Sequence, residues 1–473
     1  MDSPPTPDEP SDTTVPPKPQ TLAQCHAVID ALGLQIAQLR EQMNTLQERL
    51  KLNSRNSSKP PSSDGPGSGG NRAQRRASGR TRGAQPGHKG SYRVKLPVEQ
   101  VSTVHECRPP EVCECGGPIK AGKPLRHQVW DVPAQIRPEV QEYRLYQGVC
   151  QHCGKTHAST LPAGVPRSQI GPRALALVGL LGTQYHLTQP KIRDLLAQTM
   201  GLDFSVGAIS QAHARVSQAL QAPVAHAAGT LRHAPVVHMD ETGYPREGRR
   251  SSWAWAVVQP RLAIYSILPS RARYVAQALI GDKPAGWLVS DRYAAYHWVD
   301  VERRQVCWAH LLRDFRRMGE RAGRAGRIGR RLLGLGYVMF RWRDRGRRTE
   351  AEFAPLQRRI RQALEAGVAQ TRCKRSAATC ANLLALWPAL WGFVRQAGVE
   401  PTNNAAEQAL RTLVLKRKIS GLTRSRRGEE FIARGYTVVE SCRRQGRDAL
   451  DFLRQALQAY FGGTAAPSLV PSG

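Results

Sequence analysis

Pro235-Val236-Val237-His238-Met239-Asp240-Glu241-Thr242-Gly243 is a short apolar run closed by acids and a turn residue, and Gly286-Trp287-Leu288-Val289-Ser290-Asp291-Arg292-Tyr293 repeats the arrangement further along. Each reads as a buried strand that carries a carboxylate to the edge of a sheet. Two such carboxylates point to a metal site. Between them lie a Gly/Pro/Arg-rich turn and two further strand patterns, Ser252 to Val258 and Leu262 to Leu268, separated by Gln259-Pro260. Arg271 to Ile280 has the spacing of a short helix. The order is therefore strand, strand, strand, helix, strand, with an acid on the first and fourth strands.

That order resembles the ribonuclease H-like fold. The resemblance implies that these two carboxylates and a third from a later helix hold two divalent metals, which serve phosphodiester cleavage or transfer. Glu407 is the best third acid. It lies in Pro401-Thr402-Asn403-Asn404-Ala405-Ala406-Glu407-Gln408-Ala409-Leu410-Arg411, where Asn403 or Asn404 is a candidate N-cap for a helix beginning at Ala405. Glu407 and Arg411 share a face, with Leu410, Leu413 and Val414 on the buried side. Taken singly, each acid is more often a cap or a solvated charge; the joint pattern carries the reading.

The chain further resembles a DDE transposase of the insertion-sequence-66 family. The resemblance rests on His238-Met239-Asp240-Glu241-Thr242, Ser290 to Tyr296, Cys307-Trp308-Ala309-His310, and Asn403 to Glu407 with Arg417-Lys418 after it. Two N-terminal tracts match as well, Asn56 to Asp64 and Gln85-Pro86-Gly87-His88-Lys89-Gly90. It implies a multidomain α/β chain in which Asp240, Asp291 and Glu407 bind two magnesium (or manganese) ions. It further implies release of a 3′-hydroxyl at the element's end and attack of that hydroxyl on target DNA. Small accessory proteins of the same element are implied as partners. Cys307 and His310 have metal-ligand spacing, yet a lone pair more often reflects packing; the resemblance makes them a structural element near the site.

Composition agrees with a nucleic-acid partner. The chain has 69 Lys plus Arg against 37 Asp plus Glu, a net charge of +32, which calls for a polyanion. Residues 65 to 98 carry eight basic residues and no acid, and residues 303 to 348 carry fifteen against three. Either stretch reads as a backbone-contacting surface or as a solvated tail. No apolar run reaches the roughly 18 residues of a membrane span, and the N-terminus lacks a secretion signal, so a cytosolic protein in contact with DNA is expected.

Along the chain, residues 1–20 read as disordered. Residues 21–52 carry Leu22, Cys25, Ile29, Leu32, Ile36, Leu39, Met43, Leu46 and Leu50 in steps of three and four, the pattern of a coiled coil that makes a homo-oligomer. One amphipathic helix packed on the body is the alternative. Residues 53–96 read as a flexible basic linker. In residues 97–160, Cys113, Cys115, Cys150 and Cys153, each pair followed by Gly, suggest a zinc-ribbon-like module with strands at Val129 to Val132 and Glu142 to Val149. The first pair is Cys-x-Cys rather than Cys-x-x-Cys, leaving Cys107, His152 or His157 as substitute ligands or the metal lost.

Residues 161–232 form a helical, helix-turn-helix-like region with Ser205 as an N-cap, suited either to DNA or to packing alone. Residues 233–310 and 401–462 make the two parts of the core, Arg303 to Val306 supplies a fifth strand, and 463–473 is a disordered tail. Residues 311–400 are a helical insertion with Arg313, Arg317, Arg324, Arg327 and Arg331 along one face, read with Arg411, Lys416, Arg417 and Lys418 as DNA contacts. The favoured function is end binding, two-metal cleavage and strand transfer. The alternatives are a purely hydrolytic nuclease of the same fold and a catalytically decayed DNA-binding protein.

Overall fold

The computed structural model describes residues 21–50, 52, 56–57, 94–133, 136–248 and 252–471. Residues 1–20 and most of the 53–96 linker, with the Gln85 to Gly90 tract, lie outside the described residues. Among the described residues, no helix is long and apolar enough to cross a membrane.

Helix α1 (Leu22–Leu50) presents the heptad side chains to solvent, with Leu22, Ile29, Leu39 and Leu46 all more than half exposed. The cysteine module holds one hairpin, β1 (Gln147–Val149) with β2 (Thr156–Ala158), paired antiparallel. Of the expected strand at 142–149 only the end is paired, and 129–132 forms none. The apolar side chains of this stretch, Val129, Val132 and Tyr146 among them, lie exposed, so no layer exists for a longer strand to pack on.

Four helices follow: α2 (Pro172–Thr183), α3 (Gln189–Met200), α4 (Val206–Ala219) and α5 (Gln221–Leu231). The connections before α3 and α4 are capped turns. Thr188 Oγ1 accepts from Lys191 N at 3.5 Å, Gly201 takes the left-handed conformation after α3 (φ 63°), and Ser205 Oγ accepts from Ala208 N at 3.1 Å.

The central sheet consists of β3 (Val236–Gly243), β4 (Trp253–Gln259), β5 (Leu262–Leu268), β6 (Trp287–Ser290) and β7 (Arg304–Val306), in the order β5-β4-β3-β6-β7. The first three strands are antiparallel; β6 and β7 run parallel to β3. Helix α6 (Arg273–Ile280) makes the crossover. The strands read as continuous apolar runs because both faces of the sheet are covered. Gly286 sits where β6 begins beside β3, and a Cβ there would lie 2.2 Å from the Ala234 carbonyl oxygen; only glycine permits that approach.

The insertion contains α7 (Trp308–Gly319), α8 (Gly323–Asp344), α9 (Glu350–Gln370) and α10 (Lys374–Ala385). It has its own core around Trp308, Trp391, Phe353 and Leu332, joined to the sheet through Val289 and Val306. Trp308 and Trp391 meet edge to face at 5.4 Å. A single basic helix face does not form: the chain turns at 320–322, so Arg313 and Arg317 lie on α7 and Arg324, Arg327 and Arg331 on α8. The helices cross closely at Gly329, where a Cβ would stand 2.4 Å from Gly319 N.

The second core segment adds α11 (Asn404–Ser420), α12 (Arg426–Gln445) and α13 (Ala449–Gly462). Helix α12 lies along edge strand β5, whose Tyr265 N donates to Thr437 Oγ1 (3.0 Å) and Ala263 N to Ser441 Oγ (3.1 Å). Side-chain hydroxyls thus occupy an edge that would otherwise offer free backbone groups. The end of the chain, expected as a disordered tail, packs back: Leu469 is fully buried and its carbonyl accepts from Gln445 Nε2 at 2.9 Å. Its apolar Leu469-Val470 pair supplies the reason.

Candidate active site

The parallel strands β3, β6 and β7 deliver their carboxyl ends to one edge of the sheet, the usual place for a site in such sheets. His238 pairs with Val289 across β3 and β6, so continuing the register by two residues sets Asp240 beside Asp291. Strand β3 runs on past Asp240 to Gly243, because β4 keeps pairing with it through Trp253; the acid lies within the strand rather than closing it. Asp291 follows β6 directly, and its Oδ1 accepts from Tyr293 N at 2.8 Å.

Glu407 arrives from α11, whose start is pinned to the sheet. Asn403 does not cap the helix with its side chain. It is fully buried, and its Nδ2 donates to Met239 O on β3 at 2.8 Å. Asn403 N donates to Cys307 Sγ at 3.2 Å, and Trp308 N to Pro401 O at 2.8 Å. These bonds tie the first turn of α11 to both β3 and α7. Glu407 turns to other partners than Arg411 on its own helix: its Oε1 lies 3.5 Å from His310 Nδ1 and 3.8 Å from Cys307 Sγ, and its Oε2 lies 3.8 Å from Arg313 Nη2.

The acids feel one another. Burial pushes the Asp240 carboxyl well above its ordinary range, and the negative charges of Glu241, Asp291 and Glu407 push it further. Carboxylates gathered around a buried acid whose ionisation they disfavour are donors suited to hard divalent cations such as magnesium or manganese. Asp240, Asp291 and Glu407 offer such donors, although their carboxylate oxygens do not all lie within 4.8 Å of one another.

Glu241, next to Asp240 but on the opposite side of the strand, has a different environment. It accepts from Arg271 Nη2 at 2.9 Å and from the Tyr296 hydroxyl. The Arg271 guanidinium lies 3.7 Å from the Tyr293 ring and 4.5 Å from that of Trp253. Glu241, Arg271 and Tyr293 thereby fix the loop that carries Asp291. Sequence reading gives Arg271 and Tyr296 no role at the site and offers Asn403 only as a helix cap; the acid pair Asp240-Glu241 is the one signal for the Glu241 contacts.

The expected DNA contacts divide. Arg324, Arg331, Arg411 and Lys418 are exposed. Arg317 is engaged with Asp314 at 2.6 Å, and Arg417 donates to Gly243 O at the end of β3. Lys416 is buried, donating to Leu187 O (3.1 Å) and Ser420 Oγ (3.0 Å), and burial lowers its pKa to about 8. Lys416 therefore fastens α11 to the helical region and offers no charge to the surface.

In the cysteine module the thiols meet only in pairs. Gly116 (φ 83°) and Gly154 (φ 68°) close the two turns in left-handed conformations. The Cys115 thiol is held below its ordinary value by the Gly117 backbone and Cys113, and Cys150 by the Cys153 and His152 backbones and the Cys153 side chain. Among the described residues, however, the one set of three metal-ligating side chains with ligand atoms within 4.8 Å of one another is Cys307, His310 and Glu407. The four module thiols do not share one coordination sphere.

The family model described as Transposase IS66 family matches residues 167–430, more than half of the 473 residues and the whole of the stretch holding the three acids. The chain belongs to the IS66 transposase family. It is accordingly a nucleic-acid-processing enzyme whose partner is DNA. A second model, a family of unknown function, matches residues 14–94 of this transposase. No curated protein matches the chain.

Proposed function

We propose that this transposase is of the DDE type, with a ribonuclease H-like core in which Asp240, Asp291 and Glu407 form one cation-binding set for cleavage of element ends and strand transfer. The observation that carries the reading is the rise of the Asp240 carboxyl pKa through the combined charges of Glu241, Asp291 and Glu407. The strand order β5-β4-β3-β6-β7, with three antiparallel and two parallel members, supports the fold assignment.

The chemistry supplied by two divalent cations on such a set is activation of an attacking oxygen and stabilisation of a leaving one. The chain's own residues do the rest. Asp240 must be ionised to ligate, so hard cations and protons compete for it. Asp291 is aimed by the Tyr293 backbone and by the loop that Arg271 braces. Glu407 is placed by the bonds of Asn403 and Pro401. Exposed Arg324, Arg331, Arg411 and Lys418 supply charge for DNA phosphates, and α1 supplies a stripe for self-association. The module thiols do not fit a single zinc sphere as they stand, and no step is assigned to them.

The test is a cleavage and joining assay on DNA bearing the element's ends, with magnesium, comparing wild type with Asp240→Asn and adding the element's companion proteins in a second arm. Joined products that vanish in the variant support the reading. Hydrolysis without joining supports a nuclease, and binding without either in both arms supports a decayed DNA-binding protein.

A further inference from the structure

Glu407 stands between two unlike sets of ligands. On one side are Asp240 and Asp291, all oxygen. On the other are the Cys307 thiol and the His310 imidazole, neither of which the proposed reaction uses. Cys307 precedes α7 and His310 lies one turn on, so both project from the same end of one helix. Glu407 comes from the first turn of α11. Their ligand atoms all lie within 4.8 Å of one another. His310 Nδ1 is buried and makes no hydrogen bond, 3.5 Å from Glu407 Oε1.

A sulfur, an imidazole nitrogen and a carboxylate oxygen are the donor types of a three-ligand zinc site with an open fourth position, and sulfur selects against magnesium. Burial and the Glu407 charge push the Cys307 thiol up to about 12, so ionisation waits on a bound cation, and two features ease it. Asn403 N donates to Sγ at 3.2 Å, and the sulfur sits at a helix N-terminus. Arg313 approaches Oε2, while Oε1 faces the sulfur and imidazole. We propose that Cys307, His310 and Glu407 form a second cation site, for a thiophilic divalent ion such as zinc, which competes with the all-oxygen set for the Glu407 carboxylate. The competition rests on the metal-dependent reading above; the site itself does not.

Cobalt(II) is the probe, because thiolate ligation gives it a near-ultraviolet charge-transfer band. The full chain carrying Cys113→Ser, Cys115→Ser, Cys150→Ser and Cys153→Ser removes the module thiols, none of which is buried. One cobalt per chain with the thiolate band is expected. Cys307→Ser, His310→Ala and Glu407→Gln should each weaken it by at least the roughly 10- to 100-fold that follows loss of a supporting partner. Asp240→Asn and Asp291→Asn should keep it. Saturating magnesium should weaken cobalt binding in the parent protein but not in Asp240→Asn. Absence of the band overturns the site, as does a band indifferent to His310→Ala and Glu407→Gln, both partly exposed positions that decide the matter if Cys307→Ser fails to fold. A band without magnesium competition overturns the competition alone. A band in a protein that neither cuts nor joins DNA would refute the proposed function and leave the site standing.

Discussion

The carboxylate set and the cysteine module are built in opposite ways. Asp240, Asp291 and Glu407 are far apart in sequence, yet a sheet with both faces covered and a helix pinned by Asn403 bring their charges within reach of one another. The cysteines of each module pair are sequence neighbours, held by local turns, and the described residues of 97–160 around them are almost wholly exposed. Buried layers position ligands across long stretches of chain; local turns without a core position only what is already adjacent. A site of the second kind needs its ligand to finish it.

The contrast breaks most visibly along α11. Glu407→Gln should lower joining at least about 100-fold, the scale on which loss of one charge-stabilising group is felt. Arg411→Ala, one turn away and exposed, should change DNA affinity while leaving the chemical step intact, as single-turnover kinetics would separate. Equal losses in both would mean that α11 serves binding alone.

Packing comes next. Gly286→Ala thrusts a methyl group against the Ala234 and Pro235 carbonyls and should cost about 1–3 kcal/mol of stability, measurable by denaturant unfolding, with divalent-cation binding weakened because β3 and β6 set the Asp240–Asp291 spacing. An exposed substitution in the module, such as Val129→Ala, should stay within about 0.5 kcal/mol.

A pH effect follows from Asp240. Its folded pKa lies above the ordinary 3.8, so the folded protein binds the proton more tightly than the unfolded chain does. Stability of the metal-free protein should therefore fall as pH rises from about that ordinary value through the raised one. Magnesium should offset the loss at the upper end of the window, and Asp240→Asn should flatten the dependence. Thermal unfolding from pH 4 upward, with and without magnesium, reads all three.

The smallest expected effects are at the surface. Arg324→Ala and Arg331→Ala should each reduce the slope of log affinity against log salt by about 0.9 if they meet phosphates, whereas Lys416→Ala should destabilise the fold without that change. Zinc titration followed by hydrogen exchange should raise protection in 97–160 if the two cysteine turns can close on one ion, and leave the sheet unaffected.

The succession of strands, with Asp240 and Asp291 toward the carboxyl ends of two of them, was legible in the sequence because each strand is a bounded apolar run, and buried strands leave little else for such runs to be. The Ser205 cap was legible from local capping chemistry. Asn403 looked like a cap because asparagine before a helix usually is one; only the sheet beside it reveals Met239 O as its partner. Lys416 looked like part of a basic surface because three consecutive cations hide the helical period that turns the first inward. Arg271 and Tyr296 gave no signal, since their partner Glu241 is reached through the fold alone. The Leu469 contact was hidden for the same reason.

In the proposed function Asp240, Asp291 and Glu407 act as one cation-binding set. Electron paramagnetic resonance of manganese(II) bound to the full chain tests it most directly, with Asp240→Asn, Asp291→Asn and Glu407→Gln beside the wild type. The account predicts bound manganese in the wild type, weakened in all three variants and unchanged in Arg411→Ala. Manganese binding that survives each of the three substitutions at wild-type strength would contradict it.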